Sequence, residues 1–330
     1  MDVQGKSIFV GLSGGVDSAV AAALLLRAGA RVTGVFVKGW YPPGLPCTWK
    51  EDRRDAMRVA AHLGIPFRTL DASAAYKEHV IDYLLAEYRA GRTPNPDIFC
   101  NREVKFGVLY RYARKEGTDT IATGHYRSGD KDQRYFLWAI PKEVYDSVLF
   151  PLDGMPKEKV RALARALRLP VAEKPDSQGI CFLGPVSVEE FLHSEFGSSR
   201  GDAVTENGEV VGTHEGALLA TIGERVALDG QNGPWYVLSK DVAMNTLVVG
   251  HERATALPSR AISFAAANWF AAPETVTSAQ LRYRGARVWG AIGDGTFIPS
   301  GPALDPSVPG QSIVFYDARG ELVGGAIQQS

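Results

Sequence analysis

Gly11-Leu12-Ser13-Gly14-Gly15-Val16-Asp17-Ser18 lies between an apolar run, Ile8-Phe9-Val10, and an alanine- and leucine-rich stretch over residues 19–28 whose composition predicts a helix. A strand that delivers a Gly/Ser loop onto a helix N-terminus presents unpaired backbone N–H groups and the positive end of the helix dipole to an anion. Gly14 and Gly15 let backbone approach phosphate oxygens without a Cβ in the way, and Ser13 and Ser18 add hydroxyl donors. The spacing is not Gly-x-x-x-x-Gly-Lys-Ser/Thr, so the lysine that grips the β- and γ-phosphates in that loop is absent. The stretch predicts a phosphate cradle.

Working outward, short β-rich runs alternate with helical patterns through the first half: residues 7–12 then 17–28, 31–38 then 49–63, 66–71 then 74–88, and 120–123 after a helix over 104–116. That alternation predicts an α/β fold, a parallel sheet with helices on both faces. Nucleotides bind beyond the carboxyl ends of such strands, which makes the strand ends at Val37 and Gly124 candidate adenosine contacts. Past about residue 196 the texture changes to short β-like runs at 209–212, 235–238, 246–249, 279–283, 287–292, 312–316 and 322–327, punctuated by Gly and Pro. These predict small mainly-β domains, the last a β-barrel. The expected boundaries are 1–197 for the catalytic domain, 198–256 for a central β domain and 257–330 for the barrel.

The 330 residues carry 36 Lys and Arg against 37 Asp and Glu, a net charge of −1, so no global field draws in nucleic acid and any RNA must meet a local patch. Lys157, Lys159, Arg161, Arg165, Arg168 and Lys174 form one candidate basic face, with an ordinary solvated helix surface as the alternative. No run of eighteen apolar residues and no basic-then-apolar leader is seen, so a cytoplasmic protein is expected. Cys47, Cys100 and Cys181 make no disulfide framework and no Cys-x-x-Cys zinc spacing.

The second dense stretch is Gly91-Arg92-Thr93-Pro94-Asn95-Pro96-Asp97-Ile98-Phe99-Cys100-Asn101. Prolines on either side of Asn95 restrict the backbone, which reads as a stiff loop presenting Asp97 and Cys100 just before a helix N-terminus that would favour a thiolate. A small buried hydrophobe is the competing reading for Cys100, and a turn or capping carboxylate for Asp97. Cys181 sits in the polar stretch Asp176-Ser177-Gln178-Gly179-Ile180-Cys181, and two such loop cysteines suggest partners in sulfur chemistry. Cys47, among Pro42, Pro43 and Pro46, reads as incidental.

The loop at 11–18 resembles the Ser-Gly-Gly-x-Asp-Ser pyrophosphate loop of enzymes that split ATP between the α- and β-phosphates. With residues 90–106, Ala122-Thr123-Gly124-His125-Tyr126, Lys131-Asp132-Gln133, Gly179-Ile180-Cys181-Phe182, Arg282-Tyr283-Arg284 and Pro309-Gly310-Gln311, the chain resembles the tRNA-specific 2-thiouridylase family over nearly its whole length. The resemblance implies an adenine nucleotide α-hydrolase-like catalytic domain and replacement of the C2 oxygen of the wobble uridine by sulfur. ATP, with Mg²⁺ accompanying it, would be held by Gly11, Leu12, Ser13, Gly14, Gly15, Val16, Asp17, Ser18 and the backbone at Val37 and Gly124. Asn95, Pro96 and Asp97 would face the target base, and His125, Lys131, Asp132, Gln133, Arg282, Tyr283 and Gln311 the tRNA.

In the same reading Cys100 is the nucleophile and Cys181 carries a persulfide supplied by a sulfur-relay protein or a cysteine desulfurase; Cys100 would attack that persulfide, either freeing sulfide or leaving a Cys100–Cys181 disulfide for reduction, and Asp97 is a general acid/base. The residues alone leave two other readings for His125 and Tyr283: a hydrogen-bonded structural histidine, and a buried tyrosine on an alternating strand. The chain departs from the family pattern in the short 127–130 segment and at Arg134, where a serine is usual. Another pyrophosphate-loop enzyme that adenylates a small molecule, a thiolase paralogue with altered RNA specificity, and a non-enzymatic RNA-binding relic stay as alternatives.

Overall fold

The computed structural model describes residues 2–42, 48–128, 131–176, 186–228, 233–252, 261–301 and 306–329. The chain divides into two compact units, residues 1–81 with 97–187, and residues 82–96 with 188–330.

The first unit is built on five parallel strands: β1 (Ser7–Gly11), β2 (Arg31–Lys38), β3 (Phe67–Asp71), β4 (Ile121–Ala122) and β5 (Val148–Leu149), in the order β3-β2-β1-β4-β5. Ile8, Phe9 and Val10 are all buried, as a strand covered on both faces requires. One face carries α1 (Val16–Arg27), α2 (Trp49–Leu63) and α3 (Lys157–Ala166), whose Val20, Ala56 and Val160 join Ile8 and Val10 in one core. The alanine run Ala19, Ala21, Ala22 and Ala23 of α1 is fully covered, since small side chains let neighbouring elements come close. The other face carries Phe106, Leu109 and Ala113 against Phe9, Val35 and Ile121. Strand order reverses between β1 and β4, so the crevice at their carboxyl ends is where this architecture receives a ligand.

The helix expected over 104–116 begins earlier. Helical backbone runs from Pro96–Phe99 through a wide-turn π segment, Cys100–Val108, into Leu109–Lys115. Pro96 starts it because a proline at the first helical position gives up only an N–H that would be unpaired there. A second π segment, Lys77–Asp82, interrupts the helix expected over 74–88.

In the second unit β6 (Gly201–Val204), β7 (Val210–His214), β8 (Arg225–Val226), β9 (Trp235–Asp241) and β10 (Thr246–Gly250) form a sheet in the order β8-β9-β10-β6-β7 around Trp235, Val237, Leu247 and Val249. The six strands β11 (Ile262–Trp269), β12 (Ser278–Gln280), β13 (Arg287–Gly293), β14 (Thr296–Pro299), β15 (Ser312–Tyr316) and β16 (Leu322–Gln328) close an antiparallel barrel in the order β11-β14-β13-β12-β15-β16. Phe297, Ile313, Phe315 and Val323 fill it, with Trp269 stacked on Phe315 at 5.1 Å between ring centres. The strand expected over 279–283 stops at Gln280, and Arg282–Arg284 form a turn in which Arg284 has φ +61°. Among the described residues no helix is long and apolar enough to cross a membrane.

Candidate functional site

The loop after β1 is a knot of small polar contacts. The Ser13 N–H donates to Ser18 Oγ (3.2 Å), the Gly15 N–H to Ser13 Oγ (3.3 Å), and Ser18 Oγ to the Gly15 carbonyl (3.1 Å). Gly15 is the N-cap of α1 and no side chain caps the helix, so its first-turn N–H groups point outward with the positive dipole end behind them. Two glycines set the walls. Gly14 has φ +79°, and a Cβ there would stand 2.3 Å from the Asp52 carbonyl oxygen of α2. Gly124, just past β4, comes so close to α1 that a Cβ would stand 2.6 Å from the Ser18 nitrogen. Loop, helix start and β4 end thus meet as backbone against backbone, the packing that leaves room for phosphate oxygens and none for side chains. Val37, half-buried, is at the end of β2 beside Leu70 of β3.

Asp17 points out of the first turn of α1 onto Lys157, the first residue of α3, whose Nζ donates to its two carboxylate oxygens at 2.6 and 2.8 Å. Burial pushes the Asp17 carboxyl above its usual range, against the pull of the Lys157 ammonium. Lys157 also reaches Asp176 at 2.9 Å, and Arg161 holds Asp176 at 2.8 Å. Sequence reading did not find this network, because Asp17 and Lys157 stand 140 residues apart. On the candidate basic face, Lys157 and Arg161 are paired as above, Arg165 with Glu173, and Lys174 with Asp52 and Asp55, so four of its six cations already have carboxylate partners.

The Thr93 backbone is gripped from both sides. Its N–H donates to the Pro309 carbonyl at 2.9 Å, and its carbonyl accepts from Gln311 Nε2 at 2.8 Å. Gly310, at φ +91°, lies so near that a Cβ would stand 3.0 Å from both Arg92 Cβ and the Thr93 nitrogen. Asn95 is half-buried and Asp97 sits in the first helical turn. Cys100 is not on a polar loop: it opens the π segment with 1% of its surface exposed. Its neighbour Asn101 is equally sequestered, donating Nδ2 to the Phe136 carbonyl (3.1 Å) and leaving Oδ1 with no partner among the described residues. π turns and unsatisfied buried polar atoms both concentrate at working sites. Cys181 and Cys47 lie outside the described residues.

His125 follows Gly124 and bonds Thr123 Oγ1 through Nδ1 at 3.0 Å, its ring 5.2 Å from that of Phe106. Desolvation, then the Lys105 cation, lower its pKa to about 3, so the ring is neutral near pH 7. Gln133 Oε1 accepts the Tyr126 N–H (3.0 Å), and the backbone of Lys131 and Asp132 pairs with that of Arg127 and Ser128. Arg134 is a buried partner for Asp132, with Nε–Oδ1 2.9 Å and a terminal nitrogen to Oδ2 at 2.8 Å, so this departure from the family pattern turns the Asp132 carboxylate inward. Arg282 and Tyr283 are half-buried on their turn, Arg284 lies over the Tyr283 ring at 5.4 Å, and Gln280 Nε2 braces the turn through the Gly285 carbonyl at 2.8 Å.

Residues 6–185 match the family model described as "tRNA methyl transferase HUP domain", and residues 189–251 the one described as "tRNA methyl transferase PRC-barrel domain". The chain is similar to the tRNA-specific 2-thiouridylase MnmA of Akkermansia muciniphila, 39% identical with 98% of each chain covered. It is likewise 41% identical to that of Stutzerimonas stutzeri over 98% of this chain and 94% of that one, and 40% identical to that of Thiobacillus denitrificans over 97% and 99%. A first compact unit built on a parallel sheet with a glycine-rich strand-to-helix loop, a barrel-bearing second unit and identity of this level from end to end agree: the chain belongs to the tRNA-specific 2-thiouridylase family.

Proposed function

We propose that this protein replaces the C2 oxygen of the wobble uridine of tRNA with sulfur, spending one ATP as AMP and pyrophosphate. The observation that carries the reading is the uncapped start of α1 pressed against Gly124, in a chain whose relatives carry the thiouridylase name end to end. A uridine C2 carbonyl is urea-like and its oxygen a poor leaving group, so the oxygen must first be joined to the ATP α-phosphorus. Residues 11–18 then hold the departing pyrophosphate, and fixed N–H donors aimed at that developing charge are the largest single aid available. Val37 and Gly124 take the adenosine end. Mg²⁺ arriving with ATP would be held by its phosphate oxygens and would supply charge neutralisation there, while both Asp17 oxygens are taken by Lys157.

Asn95, Pro96 and Asp97 seat the base, with Asp97 moving the proton. His125, Lys131, Asp132, Gln133, Arg282, Tyr283 and Gln311 meet the rest of the RNA, with Asp132 ordering the strand end from inside its pair with Arg134. Cys181 receives a persulfide from a sulfur-relay protein or a cysteine desulfurase. The Cys100 thiolate attacks the Cys181 sulfur, the hydrosulfide so released displaces AMP from C2, and the resulting Cys100–Cys181 disulfide is reopened by an external dithiol. Such a reaction belongs in the cytoplasm, where tRNA is matured. The test is reconstitution with ATP, Mg²⁺, unmodified tRNA and a persulfide donor, read by nucleoside mass spectrometry. 2-Thiouridine at the wobble position is expected. Pyrophosphate release with a small substrate and no thiolated uridine overturns the reading.

A further inference from the structure

Among the described barrel residues, Gln328 is a long polar side chain that the proposed chemistry does not account for. Gln328, on the last barrel strand, has 0% of its surface exposed. Its amide is fully used: Nε2 donates to the Leu281 carbonyl (2.8 Å) and the Ser312 carbonyl (2.9 Å), while Oε1 accepts from Ser307 Oγ (2.9 Å) and the Val308 N–H (3.1 Å). Its backbone adds two more bonds, donating to the Gln311 carbonyl (2.8 Å) and accepting from the Gly310 N–H (3.0 Å). Every one of these partners borders a motif assigned above to RNA. Leu281 immediately precedes Arg282-Tyr283, and residues 307–312 carry Pro309-Gly310-Gln311, which in turn holds the Thr93 backbone two residues before Asn95.

Burying an amide costs free energy unless all its hydrogen bonds are made, and a polar hub so satisfied fixes one arrangement of what it touches. An apolar side chain of the same shape would fill the space as well. It would leave the 281 and 307–312 turns to find their own positions.

We propose that Gln328 is a positioning residue for the thiolation reaction: it locks the Arg282-Tyr283 turn and the Pro309–Gln311 turn in one register and, through the Gln311–Thr93 bond, sets the backbone that seats the target base. The inference rests on the function proposed above. It separates two arms. Gln311→Met cuts the link to Thr93 and, with it, the tRNA contact proposed for Gln311, so kcat falls about tenfold and the tRNA Kd rises about threefold. Gln328→Met loosens both turns, so kcat falls as far and the tRNA Kd rises about tenfold too. Both act on kcat through the same bond, so the double variant has the kcat of Gln328→Met alone, a non-additivity that independent sites do not show.

The measurements are tRNA Kd by filter binding, single-turnover thiolation, and ATP Kd, whose site lies in the other compact unit and stays within twofold of wild type in every variant. Gln328→Glu, which keeps the two acceptances and replaces the donor nitrogen by oxygen, stands in where the methionine variant does not fold. It is expected to raise the tRNA Kd while sparing most of kcat. A Gln328 variant that melts earlier yet binds and thiolates tRNA like wild type overturns the proposal, as do multiplicative kcat losses in the double variant. Where neither Gln328 variant folds, Gln311→Met with kcat within twofold of wild type overturns it. Wild-type protein that binds tRNA but forms no 2-thiouridine refutes the functional reading instead, and the Kd arm still decides the role of Gln328.

Discussion

Replacing Gly124 by alanine tests the cradle most directly. Gly124 is not among the residues with positive φ, so an alanine backbone is accepted and the perturbation is purely steric. The new methyl would stand 2.6 Å from the Ser18 nitrogen, 2.8 Å from the Asp17 carbonyl carbon and 3.0 Å from the Ser18 Cα. Ordinary contact begins at 3.4 Å, so 3.4 − 2.6 leaves about 0.8 Å to be made up, and the atoms that must yield are backbone of the first turn of α1. Overpacking of this kind costs about 1–3 kcal/mol. Displacing donors by nearly an ångström from a pyrophosphate costs about a hundredfold in rate. We expect ATP affinity to fall at least tenfold and tRNA-dependent pyrophosphate release by more.

Gly117→Ala is the control: its φ of +84° strains an alanine, but no atom lies within 4 Å of the new methyl. It should lose about 1–2 kcal/mol of stability and bind ATP as wild type does. Equilibrium dialysis with ATP and a melting curve with and without it read both effects. Gly124→Ala that binds ATP within twofold of wild type refutes the placement of the nucleotide at residues 11–18.

Arg134→Met strands the Asp132 carboxylate in a site where the pair is 9% and 14% exposed, and removing one partner of such a pair costs about 3–5 kcal/mol; urea unfolding should show the loss, and Asp132→Asn added to it should recover most. Cys100→Ala and Cys181→Ala are expected to keep ATP affinity and abolish 2-thiouridine, whereas Cys47→Ala keeps both, as nucleoside mass spectrometry can show. His125, with its pKa lowered to about 3, binds fewer protons folded than unfolded between about pH 3 and 6.5. Its contribution is therefore present above about pH 6.5 and is lost as pH falls, at most about 1.4 kcal/mol per pH unit. His125→Gln should flatten that part of the stability profile in denaturant titrations at pH 4 to 7.

The first unit was legible because its signals are local. Ile8-Phe9-Val10, the glycines after them and the alanine run of α1 each declare a buried strand, a turn and a packed helix without reference to distant residues. β5 escaped because two residues carry no period. Cys100 was misplaced for a different reason: Asn95-Pro96 was read as loop stiffening, whereas Pro96 also starts a helix, and π turns have no compositional mark. The Asp17–Lys157 pair and the charge lattice on α3 depend on contacts that no short window holds. Gln328 did leave a trace. It follows directly on the apolar run expected over 322–327, and every residue of that strand after Leu322 is buried, so a polar residue continuing it was due to be buried as well.

The sealing of Cys100 has a kinetic meaning. A thiol with 1% of its surface exposed is shut off from alkylating reagents, peroxide and any persulfide on another loop while residues 96–115 stay wound. Its labelling rate is therefore a clock for how often that segment opens, and in the reaction proposed above the same closure would set an upper limit on how fast sulfur changes hands.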